Sequence, residues 1–177
     1  MVKNFINRAI FLDRDGVINN SIIIDGKPHA PKILDQFNFI DGVKHSLKIF
    51  KQKGYLNIII TNQPDVNANL LDKDILEKMH QKIFKELQID DIFVCVHRAD
   101  ENCECRKPKP GLIYESVKKW KIDLRSSYLI GDRWRDIDLA NFLCIENFFI
   151  DYNYNEKKPT NFTYKINNLE NALKFID

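Results

Sequence analysis

Apolar residues in this chain alternate between short unbroken runs and longer stretches where they recur every three or four positions. The runs Ala9-Ile10-Phe11-Leu12, Leu56 to Ile60, Ile92-Phe93-Val94-Cys95-Val96, Tyr128-Leu129-Ile130 and Phe148-Phe149-Ile150 predict buried strands. Between them the spacing predicts helices carried by Val43, Leu47 and Phe50, by Ile75, Leu76, Met79, Ile83 and Leu87, by Ile113, Val117 and Trp120, and by Ile137, Ala140 and Leu143. Asp41 and Asp72 are the expected N-caps of the first two helices, Gly54 follows the first as a C-cap glycine would, and Pro110-Gly111 opens the third. A polar loop is expected over 153–163, then a terminal helix carried by Leu169, Leu173 and Ile176. Asp25-Gly26 among β-branched residues predicts a hairpin at about 21–31, placed to act as a flap. Strands alternating with helices imply a Rossmann-like α/β fold, with a central parallel sheet of about five strands and right-handed crossovers.

Length and composition narrow the class. The 177 residues are expected to form one domain, and 44% hydrophobic with 29% charged residues is a globular balance. A net charge of +2 gives no general pull toward nucleic acid or an acidic membrane, so phosphate binding should be local. The first eight residues lack an apolar segment long enough for a signal peptide, and no run approaches a membrane span. A cytoplasmic location is therefore expected, with reduced cysteines, and the chain is taken to be a monomer. Three of these, Cys95, Cys103 and Cys105, fall close together, which favours a metal over disulfides. Cys144 sits in an apolar stretch and is expected to be a small buried hydrophobe; His80 is expected on a helix surface.

Chemistry gathers at the predicted strand ends. The first is followed by Asp13-Arg14-Asp15-Gly16, the second runs into Thr61-Asn62-Gln63, and the fourth ends in Gly131-Asp132. Ionised carboxylates are costly to desolvate without a partner, and ligands of open α/β sheets bind beyond the strands' carboxyl ends. Three converging carboxylates need a cation, and an all-oxygen set suits Mg²⁺. Thr61 and a lysine from Arg106-Lys107-Pro108-Lys109-Pro110 would complement a phosphoryl group. A carboxylate can attack phosphorus, so Asp13 is the candidate nucleophile and Asp15 the acid that protonates the leaving oxygen, then the base that activates water. Cys95-x-His97 and Cys103-x-Cys105 supply one imidazole and three thiols, the set for a closed, structural zinc site just ahead of Arg106-Lys107.

Four separated segments, Asp13-Arg14-Asp15-Gly16-Val17-Ile18-Asn19, Thr61-Asn62-Gln63, Cys105-Arg106-Lys107-Pro108 and Gly131-Asp132-Arg133-Trp134-Arg135-Asp136, resemble the four motifs of the haloacid dehalogenase superfamily of phosphatases. The resemblance spans roughly residues 9 to 151 and is nearest to the branch of heptose-1,7-bisphosphate 7-phosphatases and histidinol-phosphatases, which also carries a zinc loop. It implies no cap domain, Lys107 rather than Lys109 as the phosphoryl-binding lysine, and Asp132 as a Mg²⁺ ligand with Asp13 and the backbone of Asp15. It also implies Asp136 in support, and Asn62, Arg106 and Arg133 near the substrate. The substrate would be a small phosphorylated sugar, on the resemblance a heptose bisphosphate of surface-glycan precursor synthesis, with no nucleic acid or membrane partner. Histidinol phosphate is the nearest alternative, and a catalytically inactive zinc-stapled interaction module the alternative of another class. The chain departs from the branch at Asn67-Ala68-Asn69, where an arginine is usual, and only five residues separate His97 from Cys103.

Overall fold

A computed structural model describes residues 6–177; the start of the stretch read for a leader, residues 1–5, lies outside the described residues. The chain runs β1 (Arg8–Leu12), β2 (Ile22–Ile24), β3 (Lys27–His29), α1 (Val43–Gln52), β4 (Tyr55–Asn62), α2 (Lys73–Glu86), β5 (Asp91–Cys95), α3 (Gly111–Trp120), β6 (Tyr128–Gly131), α4 (Trp134–Phe142), β7 (Glu146–Ile150), β8 (Tyr164–Ile166) and α5 (Leu169–Ala172). Six strands form one parallel sheet in the order β5-β4-β1-β6-β7-β8, and β2 pairs with β3 as an antiparallel hairpin.

β1 has no polar residue after Arg8 because both its faces are covered. Ile10 and Leu12 point into the layer filled by α1, α2 and α5, while Ala9 and Phe11 point into the layer filled by α3 and α4. Each such fully buried Ile, Leu or Phe contributes about 1.5–3 kcal/mol of apolar burial. From β1 the chain steps outward to β4 and β5, then returns to the other side for β6, β7 and β8. The order therefore reverses beside β1, and the crevice beyond the carboxyl ends of β1 and β6 is where such sheets bind ligands. No helix of the described residues is long and apolar enough to cross a membrane.

Four expectations need correction. The sheet has a sixth strand: Tyr164–Ile166 pairs with Phe148–Ile150 at its edge, too short for a periodic signal. Asp41 does not cap α1. The N-cap is Gly42 at φ 82°, with no side-chain cap, whereas the Asp72 carboxylate does accept from the Asp74 N–H at the start of α2. Cys144 is exposed, because α4 ends at Phe142 and the chain turns through Cys144 at φ 54° to bury Ile145 instead. His80 is buried, 7% exposed, because the Arg14 side chain passes beneath α2 and meets it.

Candidate active site

β1 and β6 deliver their carboxylates to one point. Beyond β1, Asp13 is 8% exposed; beyond β6, Asp132 and then Asp136, in the first turn of α4, are buried beside it. The two strand ends approach so closely that a side chain at Gly16 would overlap Asp132: an added Cβ would lie 1.9 Å from its Oδ2, and Gly16 stands at φ +87°. A Cβ at Gly131 would similarly meet the Asp136 carboxylate at 2.5 Å.

Lys107 enters this cluster from the loop before α3. Its ammonium donates to Asp136 at 2.6 Å and lies 2.9 Å from Asp13. Lys109 points elsewhere, to Asn102 and Glu104 at the surface. Asn62, at the end of β4, uses its amide on the Lys107 backbone, accepting from the N–H at 3.0 Å and donating to the carbonyl at 3.1 Å, so it braces the lysine's loop as well as lining the cavity. Burial, with Asp136 beside it, raises the Asp13 carboxyl to about 6 against the lowering by Lys107.

Asp15 is held by three side chains. Arg14, fully buried, donates from Nε and NH2 to its carboxylate at 3.0–3.2 Å, Asn19 donates at 2.9 Å, and Gln63 at 2.8 Å. Gln63 Nε2 also reaches the buried Thr61 hydroxyl oxygen at 2.8 Å, which leaves the hydroxyl proton free for another acceptor. The far side of the Arg14 guanidinium lies 3.4 Å from His80 Nε2. Since arginine only donates, that nitrogen accepts, and burial with the adjacent cation lowers His80 to about 4.

The donor set fits a divalent cation. Asp13, Asp15, Asp132 and Asp136 face two buried cations, Arg14 and Lys107, leaving a surplus of two negative charges. Among the described residues the Asp132 side chain takes one hydrogen bond, from the Tyr154 hydroxyl to Oδ2 at 2.9 Å, and its buried Oδ1 has no partner. Burial and the neighbouring Asp13 and Asp136 push its carboxyl well above the usual range. A buried carboxylate oxygen without a donor, beside two more carboxylates, is what a hard cation relieves.

The second donor set is soft. Sγ of Cys95, Cys103 and Cys105 and Nδ1 of His97 lie within 4.8 Å of one another, with contacts of 3.1–3.6 Å. Zn–S bonds of about 2.3 Å imply tetrahedral edges of about 3.7 Å, so the cluster fits zinc after slight expansion. It is also tied to the cavity wall: Arg106 donates to the His97 carbonyl at 3.1 Å.

Above the carboxylates a cavity of about 260 Å³ opens between the β2–β3 hairpin, with Lys27 and His29, and a basic wall of Arg106, Arg133 and Arg135. Tyr154 and Glu156 were not singled out in the sequence. They follow β7 in a polar stretch without periodicity, and Glu156 grips the Arg133 guanidinium through both carboxylate oxygens. Only the sheet order, which folds that stretch over the end of β6, reveals them.

A family model described as Polynucleotide kinase 3 phosphatase matches residues 12–164. The D-glycero-beta-D-manno-heptose-1,7-bisphosphate 7-phosphatase of Helicobacter pylori is 40% identical over 137 residues, covering 74% of this chain and 76% of that protein. The D-glycero-alpha-D-manno-heptose-1,7-bisphosphate 7-phosphatase of Campylobacter jejuni is 33% identical over 180 residues, covering 96% and 95%. Among solved structures, D,D-heptose 1.7-bisphosphate phosphatase from B. bronchiseptica, complexed with magnesium and phosphate, superposes with a TM-score of 0.80 at 25% identity, over 94% of this chain and 98% of that one. The corresponding enzyme of Burkholderia thailandensis, at 21% identity and a TM-score of 0.66, shares the fold.

Proposed function

This chain belongs to the haloacid dehalogenase superfamily of phosphatases, within the family described as Polynucleotide kinase 3 phosphatase, and from that membership we propose that it removes the 7-phosphate of a D-glycero-D-manno-heptose 1,7-bisphosphate. The observation that carries the chemistry is the Asp13 carboxylate, enclosed among buried groups yet open to the cavity and 2.9 Å from the Lys107 ammonium.

Asp13 attacks phosphorus, the bond from phosphorus to the sugar oxygen breaks, and that oxygen takes the proton carried by Asp15. Asp13 is left as an aspartyl phosphate. Asp15, now ionised, takes a proton from water, whose oxygen attacks phosphorus and frees Asp13 and inorganic phosphate. Lys107 and the Thr61 hydroxyl stabilise the charge on the transferring oxygens, and Asp136 fixes the ammonium. Asp13, Asp132 and the backbone of Asp15 would hold Mg²⁺, which supplies further charge neutralisation when bound. Zinc in the Cys95, His97, Cys103 and Cys105 cluster would be structural and set the position of Arg106.

The named relatives support a sugar bisphosphate, and the net charge of +2 supports a small substrate over a polynucleotide despite the family's description. Phosphate release is measured from both heptose bisphosphate anomers, histidinol phosphate and a 3′-phosphorylated oligonucleotide, with and without Mg²⁺. Selective release from one heptose anomer, dependent on Mg²⁺ and abolished in Asp13→Asn, is expected. Preference for histidinol phosphate or the oligonucleotide overturns the substrate, and full activity in Asp13→Asn overturns the nucleophile.

A further inference from the structure

The basic wall of the cavity contains three guanidinium groups in unequal states. Arg133 is committed to Glu156, and Arg106 donates to the His97 carbonyl. Arg135, two residues beyond Arg133 in the first turn of α4, makes no hydrogen bond and no ion pair among the described residues. Its Nε is buried without a partner, and its guanidinium lies 5.2 Å from the Trp134 ring centroid. Arg135 and Arg106 line both the cavity above Asp13 and a second, adjoining one of about 330 Å³. A half-buried guanidinium whose Nε is enclosed without a partner, next to other cations, is costly unless an anion joins it. Burial, then Arg133 and Arg106, pulls the Arg135 pKa down, consistent with a cation short of counter-charge.

We propose that Arg135, together with Arg106, forms the subsite for the anionic group at the end of the substrate remote from the scissile phosphate, and that Arg135 rather than Arg133 makes the enzyme prefer a bisphosphorylated sugar to a monophosphorylated one. This rests on the sugar-bisphosphate reading above and goes further by assigning the discriminating residue. Glu156 already satisfies the charge of Arg133, whereas the fork of Arg135 is free to take two phosphate oxygens.

The test compares kcat and KM for heptose 1,7-bisphosphate and heptose 7-phosphate in the wild type, Arg135→Gln and Arg135→Lys, with a melting curve for each. Loss of a charge-assisted contact to phosphate corresponds to about a 10- to 100-fold change. Arg135→Gln is expected to lose that much of the preference for the bisphosphate, chiefly through KM, with Arg135→Lys recovering part of it. A wild-type preference that survives unchanged in Arg135→Gln overturns the assignment while the substrate reading stands. A wild type that does not distinguish the two sugars overturns both.

Discussion

Gly16 separates two effects that a glycine substitution normally mixes. Gly16→Ala imposes a left-handed backbone on a residue with a side chain, costing about 1–2 kcal/mol, and also drives a methyl group into the Asp132 carboxylate. Gly54, at φ +86°, carries the same strain, but an added Cβ there meets nothing nearer than Arg8 at 4.0 Å. Gly54→Ala should therefore lower Tm by a few degrees and leave kcat alone. Gly16→Ala should lower Tm by at least as much and cut turnover by about 100-fold or more, because Asp132 must move. Equal activities in the two variants would show that the close approach of the strand ends does not matter. Tyr154 acts on the same carboxylate from the other side. It is, among the described residues, the one side chain that donates to Asp132, and on the proposal that Asp132 is a Mg²⁺ ligand, Tyr154→Phe should raise the Mg²⁺ concentration for half-maximal activity by about 10- to 100-fold. An unchanged Mg²⁺ dependence would remove Tyr154 from that role. Asp13 and Asp15 stood out as candidates in the sequence because charges placed directly after an apolar run have few structural uses, whereas only the family resemblance sets Lys107 above Lys109. Tyr154, Glu156 and His80 did not stand out, since a tyrosine in a polar loop and a histidine on an amphipathic helix gain significance only from what folds against them.

The elements differ in how firmly each holds its part of the site. The loop from β5 to α3 carries both Arg106 and Lys107, yet the two are anchored differently. Asn62 on β4 clamps the Lys107 backbone from outside the loop, while Arg106 leans on the carbonyl of His97, itself in the cysteine–histidine cluster proposed to hold zinc. Removing zinc, or Cys103→Ser, should therefore raise KM more than it lowers kcat and reduce Tm. An apoprotein whose KM is unchanged, or whose kcat falls more than its KM rises, would sink this division. The segment Asn67-Ala68-Asn69, which lacks the arginine usual in the resembling branch, is tied to the same loop, with the Asn67 amide donating to both oxygens of Glu101 at 3.0–3.2 Å. Elements long enough to show a period were legible in the sequence: α1 to α4 lie where the spacing put them, within a few residues, whereas the terminal helix read from Leu169, Leu173 and Ile176 stops at Ala172. β8 has three residues, and the cap of α1 was misplaced because Gly42 takes a backbone conformation that no composition rule reports.

At the scale of the molecule, buried charges on the two sides of β1 act against each other. Without a divalent cation, Asp13, raised to about 6, keeps its proton in the folded protein where the unfolded chain has lost it, so stability falls as pH climbs from about 4 to about 6. His80, lowered to about 4, stays neutral in the fold while the unfolded imidazole takes up a proton, so stability falls as pH drops from about 6.5 to about 4. Each shift corresponds to on the order of 3 kcal/mol, and in the same window the two largely offset, with the raised Asp132 adding to the carboxylate side. The zinc-loaded, magnesium-free protein should thus show little gain in Tm between pH 4.5 and 6.5, or a small loss. Asp13→Asn removes the titrating carboxyl and one of the charges that raise Asp132, leaving His80 dominant. Its Tm should climb across that range by several degrees, at about 2–4 °C per kcal/mol for a chain of this size. Mg²⁺ added to the wild type should steepen the profile in the same direction, because a cation held by Asp13 and Asp132 stabilises the ionised forms of those two carboxyls. Calorimetry of these three samples decides the matter: parallel profiles would mean that the surplus negative charge is not balanced at this site. A profile that steepens in the variant and not with Mg²⁺ would place the cation elsewhere.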